Sequence, residues 1–220
     1  FVDAIEFESR GMVAAIRLAN GVSTHHDFDT RLQLVGLRTT NAVAPLLDYT
    51  YAWDVAGNIT AIEDHRADDG QPSGSARFTY DSLYRLTRAE LDPDRAALSE
   101  ELTLQYDAME RITSKVSSRG AESPAHVGDF EYGPDHPHAV VRAGDLTFSY
   151  DAAGLMTDRG AQGFEWDYSG SLVAARRGEE KVFDVAYDPA GVRTIKREAG
   201  SVSYYISPDF EIRDGVGVLY

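Results

Sequence analysis

The chain has 220 residues, 43% of them hydrophobic and 26% charged, with a formal net charge of -15. This is the balance of an ordinary folded protein and not of a disordered one. The acidity excludes a basic, phosphate-binding surface and with it nucleic acid or an anionic membrane as a partner; the absence of cysteine excludes disulfide staples and thiolate metal sites, and no apolar run is long enough to span a membrane as a helix.

The chain opens at Phe1 with neither Met nor a signal-peptide pattern and stops at Gly215–Tyr220 in what reads as mid-strand, so it is expected to be a piece of a longer polypeptide. A short unit recurs along it: an aromatic residue, Asp, a tight turn with Gly at the fifth position, then an apolar residue and Thr. Weak copies begin at Phe7 (Glu8, Gly11, Val13) and Phe28 (Asp29, Leu34). The first full copy is Trp53-Asp54-Val55-Ala56-Gly57-Asn58-Ile59-Thr60. A polar loop, Asp64–Ser75, follows. Tyr80-Asp81-Ser82-Leu83-Tyr84-Arg85-Leu86-Thr87 repeats the unit with Tyr84 in the glycine slot.

Asp92–Leu98, with Asp as cap and Pro93 at the first position, predicts one short helical turn. Tyr106-Asp107-Ala108-Met109-Glu110-Arg111-Ile112-Thr113 places Glu110 in the glycine slot, and a second polar loop runs over Ser117–Pro124. Tyr132-Gly133 is a degenerate copy without Asp. Three full copies close the series: Tyr150-Asp151 with Gly154, Trp166-Asp167 with Gly170, and Tyr187-Asp188 with Gly191. Start-to-start spacing runs from 16 to 27 residues, which accommodates two short strands and two turns. Neither loop is long enough to mark a domain boundary, so residues 1–220 are expected to form one repeat segment.

The strands leading into each aromatic alternate. Leu47, Tyr49, Tyr51 and Trp53 share one face, as do Leu102, Leu104 and Tyr106, then Leu146, Phe148 and Tyr150, then Phe183, Val185 and Tyr187. Period-two alternation predicts half-buried antiparallel strands. Asp at the second position hydrogen-bonds backbone N–H groups just ahead and starts the turn. Gly at the fifth supplies positive φ without steric cost. Tyr84 and Glu110 lack that freedom, so their turns are expected to deviate in type. Neighbouring aromatics are expected to stack as a cross-strand ladder.

The unit, aromatic-Asp-x-x-Gly-x-Leu/Ile-Thr, resembles the YD repeat of bacterial Rhs and insecticidal toxin-complex proteins and, more distantly, of teneurins. Asn20-Gly21-Val22-Ser23-Thr24, Pro137-His138-Ala139-Val140, and Tyr204-Tyr205-Ile206 leading to Glu211-Ile212-Arg213-Asp214 resemble further Rhs-type segments. The resemblance covers essentially the whole chain. It implies an all-β fold of tandem antiparallel hairpins in a curved or spiralling sheet, part of a hollow shell. It implies a structural role too: the wall of a cocoon around a toxic C-terminal polypeptide in a secreted, extracellular bacterial toxin. The implied partners are the remaining repeats of the same polypeptide or a companion shell subunit, and the enclosed polypeptide. The teneurin likeness keeps open an adhesion module for glycans or proteins, with Tyr168 and Tyr204 as exposed aromatics.

No catalytic, cofactor or metal residue is assigned. Asp188-Pro189-Ala190-Gly191 resembles the aspartyl self-cleaving segment of Rhs cores, but Val192-Arg193-Thr194-Ile195 reads on as a strand, and aspartyl chemistry needs a second acid in a set geometry. Asp188 is therefore expected to be a turn residue, with any self-cleaving segment outside the chain. His136 and His138, beside Asp135, share a face if extended, yet Pro134 and Pro137 point to a kinked loop and no third ligand is evident. His25 and His26 point to opposite faces, and Asp68-Asp69-Gly70 lacks the spaced acids of a calcium loop.

Overall fold

The structure is a computed structural model that describes residues 1–66 and 73–219. Asp68-Asp69-Gly70 lies outside the described residues. The chain divides into two compact units, Phe1–Gly128 and Asp129–Tyr220.

The first unit carries the strands β1 (Val2–Phe7), β2 (Val13–Leu18), β3 (Ser23–Phe28), β4 (Leu34–Thr40), β5 (Pro45–Trp53), β6 (Ile59–Asp64), β7 (Ala76–Tyr80), β8 (Leu86–Leu91), β9 (Glu100–Tyr106) and β10 (Ile112–Ser117). Each pairs antiparallel with the next. The second unit repeats this plan with β11 (Gly128–Tyr132), β12 (Val140–Ala143), β13 (Leu146–Tyr150), β14 (Met156–Arg159), β15 (Gln162–Trp166), β16 (Leu172–Arg177), β17 (Glu180–Tyr187), β18 (Arg193–Glu198), β19 (Ser201–Ser207), β20 (Phe210–Arg213) and β21 (Val216–Leu219). Its strands also pair in chain order. The all-β array of hairpins expected from the period-two pattern is present in both units.

The helical turn expected over Asp92–Leu98 does not form. Two successive turns replace it, with Arg95 N–H donating to the Asp92 carbonyl at 3.0 Å and Leu98 N–H to the Arg95 carbonyl at 2.8 Å. Asp92 has φ +47°, whereas a helix N-cap takes extended dihedrals. Its carboxylate serves the preceding loop instead, accepting from the Ser73 N–H at 2.8 Å and from the Ser73 hydroxyl at 2.5 Å. The only helical segment among the described residues is a single 3-10 turn at Gly120–Glu122.

Every motif hairpin except that of Tyr132, which pairs with Val140 eight positions on, carries the same β-bulge. The aromatic pairs with the residue six positions on: Phe7 with Val13, Phe28 with Leu34, Trp53 with Ile59, Tyr80 with Leu86, Tyr106 with Ile112, Tyr150 with Met156, Trp166 with Leu172 and Tyr187 with Arg193. The register then slips by one, so the residue after that partner (Thr60, Thr87, Thr113, Thr157 and Thr194 among them) is the extra one. Such a bulge bends its strand and increases the local twist. The threonines thus serve the bulge as well as the outgoing strand. Thr87 and Thr194 donate their hydroxyls at 3.1 Å to the carbonyls of Thr79 and Ala186, just before the aromatic.

The interior is thin. Among the described residues the buried apolar side chains are all alanines: Ala15, Ala76, Ala89, Ala143, Ala174 and Ala175. The six full-copy aromatics are only half buried, and Phe7 is exposed. The accessible surface is 14265 Å² for 24.2 kDa, against about 10,000 Å² for a globule of that mass and about 12,000 Å² for two separate globules of the two units' sizes. Among the described residues, strands within each unit contact only their neighbours in the ladder, so each unit is one hydrogen-bonded layer.

Candidate functional site

The recurring turn is the one constellation that both units share. In each full copy one carboxylate oxygen of the Asp accepts two backbone N–H groups, two and four residues on. Asp54 takes Ala56 and Asn58, both at 2.9 Å. Asp81 takes Leu83 and Arg85 at 2.9 and 3.0 Å, and Asp107 takes Met109 and Arg111 at 2.8 and 3.0 Å. Asp151 takes Ala153 and Leu155, both at 2.9 Å. Asp167 takes Ser169 and Ser171 at 2.8 and 3.0 Å, and Asp188 takes Ala190 and Val192 at 2.8 and 2.9 Å. Asp29 of a weak copy does the same with Arg31 and Gln33. The backbone closes around this oxygen: the Asp N–H reaches the carbonyl four residues on, and the residue in the glycine slot donates back to the Asp carbonyl.

The slot has positive φ throughout, from +80° to +92° at Gly57, Gly154, Gly170 and Gly191. Tyr84 and Glu110 were expected to break the pattern and do not. They sit at φ +62° and +63° and keep both turn hydrogen bonds. A side chain in this region costs about 1–2 kcal/mol. At two copies the residue that follows adds an ion pair: Arg85 and Arg111 each place a guanidinium on the second oxygen of their own Asp, at 2.6 Å, whereas Leu32 holds the slot of the Asp29 turn at φ +65° with Gln33 after it. Solvent at the surface screens such a pair, so its contribution is small. Where glycine is present the following residue is Asn58, Leu155, Ser171 or Val192.

These contacts set the electrostatics. The Arg85 and Arg111 guanidiniums hold the Asp81 and Asp107 carboxyls below the usual carboxylate range. The Asn58 side-chain amide lowers Asp54, and the Ser169 hydroxyl lowers Asp167. All four are therefore anionic acceptors at neutral pH.

The aromatics do not form the expected ladder. No ring pair joins the six full-copy aromatics; the stacked pair in the first unit is His26 with Phe28, at 6.3 Å. Each motif ring instead reaches back with its polar tip to the preceding hairpin. Trp53 Nε1–H donates to the Leu34 carbonyl at 2.8 Å. The hydroxyls of Tyr80, Tyr106, Tyr150 and Tyr187 donate to the carbonyls of Ile59, Leu86, Val140 and Leu172 at 2.8–3.0 Å. Trp166 Nε1–H donates to the Met156 carbonyl at 2.7 Å. In every case the acceptor is the residue that pairs with the previous aromatic. Sequence reasoning missed this link, although the preference for Tyr and Trp over Phe was its visible trace.

The remaining candidates are scattered. Tyr132, without its Asp, leads into a longer loop whose closing bond runs from Gly133 N–H to the Ala139 carbonyl at 3.4 Å. His136 lies in that loop, its carbonyl accepting Ala139 N–H at 2.9 Å. His25 and His26 occupy alternate faces of β3. Among the described residues no three metal-ligating side chains converge, and no helix is long and apolar enough to cross a membrane.

Residues 16–206, which carry this repeated turn and its backward-reaching ring, match the family model of the teneurin YD-shell. The chain belongs to the teneurin YD-shell family. No curated protein matches it. Among solved structures, the YD-shell chain is similar to the Photorhabdus luminescens Tc holotoxin pore, at TM-score 0.75 and 17% identity. It is also similar to the TcdB2-TccC3-Cdc42 complex and to TcdB2-TccC3 without its hypervariable C-terminal region, each at TM-score 0.75 and 19% identity. In all three the match covers 96% of this chain and 12% of the other. The YD repeat read from the motif and the matching family thus coincide, and membership of a YD-shell family supports a structural shell role.

Proposed function

We propose that this chain is a wall segment of a YD shell that encloses a second, toxic polypeptide in a secreted bacterial toxin of Tc or Rhs type. The observation that carries the reading is the single-layer architecture: hairpin after hairpin in which, among the described residues, alanine is the one apolar residue type that is buried. A globular enzyme or a compact binding domain of this mass would bury large side chains between layers. A wall needs only a continuous ladder, with neighbouring hairpins locked to one another.

The mechanism is containment. In a sheet ladder the backbone groups satisfy one another, and the motif rings close one further carbonyl per hairpin, so the layer has few polar openings through which a chain or protease would thread. Closure by further repeats of the same polypeptide, or by a companion shell subunit, removes the exposed edges of β1 and β21, which are otherwise an aggregation liability. The Tc holotoxin pore and the TcdB2-TccC3 assemblies whose fold it shares support a toxin-complex setting. In this reading residues 1–220 act as one wall segment and the motif residues Trp53, Asp54, Gly57, Tyr80, Asp81, Tyr106, Asp107, Tyr150, Asp151, Gly154, Trp166, Asp167, Gly170, Tyr187, Asp188 and Gly191 are structural. Asp188 is a turn acceptor, with no catalytic part.

Cryo-electron microscopy of the full-length polypeptide, combined with limited proteolysis, tests the proposal. A hollow particle with a protease-protected internal segment is the expected result. A solid particle, or uniform digestion of every segment outside the repeats, would overturn it.

A further inference from the structure

The register locates each ring with a fixed offset. Where an outgoing strand meets the next incoming one, the bridge nearest the motif turn pairs Ala15 with His25, Gly36 with Thr50, Ala61 with Arg77, Arg88 with Thr103, Arg142 with Thr147, Asp158 with Gly163, Ala174 with Asp184 and Ile195 with Tyr204. Three residues beyond the second member of each pair stand Phe28, Trp53, Tyr80, Tyr106, Tyr150, Trp166 and Tyr187, and at the last junction Ser207. Seven junctions supply a ring and the eighth supplies a hydroxymethyl group.

The chain departs from the motif at the same place. Ser207 pairs with Phe210 across a two-residue Pro208-Asp209 turn, in place of the aromatic-Asp turn. A groove of about 850 Å³ opens there, lined by Val192, Arg193, Tyr205, Ser207 and Phe210 among others. The Arg193 guanidinium lies 4.1 Å over the centre of the Tyr205 ring, making a flat wall on one side. Arg193 is the partner of Tyr187, so its carbonyl is the counterpart of the carbonyls of Leu34, Ile59, Leu86, Val140, Met156 and Leu172 that accept a phenol or indole elsewhere.

We propose that this groove is a ring slot that binds the phenol or indole side chain of a polypeptide segment other than residues 1–220. The occupant is a tyrosine- or tryptophan-bearing segment whose polar tip donates to the Arg193 carbonyl, with its ring against Tyr205 and Phe210. A plain apolar side chain fills the volume but leaves that carbonyl without its donor. The inference rests on the register and the groove, and it stands whether or not the shell encloses a toxin.

The test titrates the chain with p-cresol and with toluene, which differ by one hydroxyl, and follows the amide resonances of Arg193, Tyr205 and Phe210. p-Cresol is expected to shift these resonances and to bind about five-fold more tightly than toluene, the effect of one net hydrogen bond. Equal affinity for the two probes, or shifts confined to other residues, overturns the proposal. Ser207→Tyr supplies the missing ring in cis. It is expected to abolish p-cresol binding and to raise the thermal midpoint by about 2–4 °C, whereas Ser207→Ala leaves both unchanged. p-Cresol binding that survives Ser207→Tyr in the folded variant also overturns it. If Ser207→Tyr does not fold, the two-probe comparison on the unaltered chain decides.

Discussion

The hydroxyl of Tyr106 donates to the carbonyl of Leu86 at 2.8 Å, so the ring that opens one hairpin closes the backbone of the hairpin before it. The same hand-over recurs from Trp53 to Tyr187, and it makes the phenol or indole tip as consequential as the ring.

Removing that tip while keeping the ring isolates its contribution. Tyr106→Phe is expected to lower stability by about 1 kcal/mol, the net value of one intramolecular hydrogen bond, measured as a shift of the urea midpoint at constant slope. Tyr168→Phe, at a side chain fully exposed on a turn tip, serves as the control and is expected to change nothing. Equal effects at the two positions would show that the hydroxyl has no stabilising role.

The Asp turn predicts a ranking. Asp107 accepts two N–H groups on one oxygen and the Arg111 guanidinium on the other. Asp188 accepts two N–H groups and is followed by Val192, which offers no side-chain donor. Asp107→Asn keeps an amide oxygen for the turn but loses the ion pair, so it is expected to cost more than Asp188→Asn. Alanine at either site removes the acceptor altogether and is expected to cost about 1–2 kcal/mol, by analogy with loss of a helix cap. Chemical denaturation of the four variants orders them. In the full-length polypeptide Asp188→Asn is expected to leave any self-cleavage unchanged on a gel.

The glycine slot predicts opposite signs at different copies. Glu110 sits at φ +63° and Gly191 at +80°. Glu110→Gly relieves a side chain in the left-handed region and is expected to stabilise by about 0.5–1 kcal/mol, the relief being partly offset by glycine's greater unfolded-state entropy. Gly191→Ala introduces that strain and is expected to destabilise by about 1–2 kcal/mol. Thermal midpoints that move in the same direction for both would refute a shared positive-φ requirement.

Acid is expected to loosen the array. Folding lowers the carboxyls of Asp54, Asp81, Asp107 and Asp167. Between the lowered folded values and about 3.9 for free Asp the unfolded chain binds more protons, so stability rises with pH across that window. The contribution is complete above about pH 5 and is lost as pH falls through the folded values. Urea midpoints measured from pH 6 down to pH 2.5 are expected to decline below about pH 4, and Asp107→Asn is expected to flatten the decline. A pH-independent midpoint would contradict the turn electrostatics.

Much of this was legible in the residues because it is local. Alternation ahead of Trp53, Tyr106, Tyr150 and Tyr187 is a property of one strand, and the Asp54–Gly57 turn chemistry lies within four residues. What escaped reading connects residues far apart in the chain. The Tyr80 hydroxyl meets Ile59 across 21 positions, and nothing in either residue announces the other. The bulge at Thr60 or Thr87 shows only once two strands are in register, because an extra residue is defined by its partner. Tyr84 and Glu110 keep the positive φ of the glycine slot, as Leu32 does in the Asp29 turn, because the carboxylate and backbone hydrogen bonds of the turn hold the slot whatever side chain fills it. Asp92 looked like a helix cap until its carboxylate was seen to be engaged by Ser73, 19 residues earlier.

Each described ladder joins strands that are neighbours in the chain, and each ring acts on the hairpin made just before it. Synthesis therefore needs no distant partner before the next hairpin can form, a low contact order that is unusual for a protein made only of strands. The newest hairpin at the ribosome exit is the one still awaiting the ring that will secure it. The register thus permits vectorial assembly, each repeat able to lock its predecessor in place.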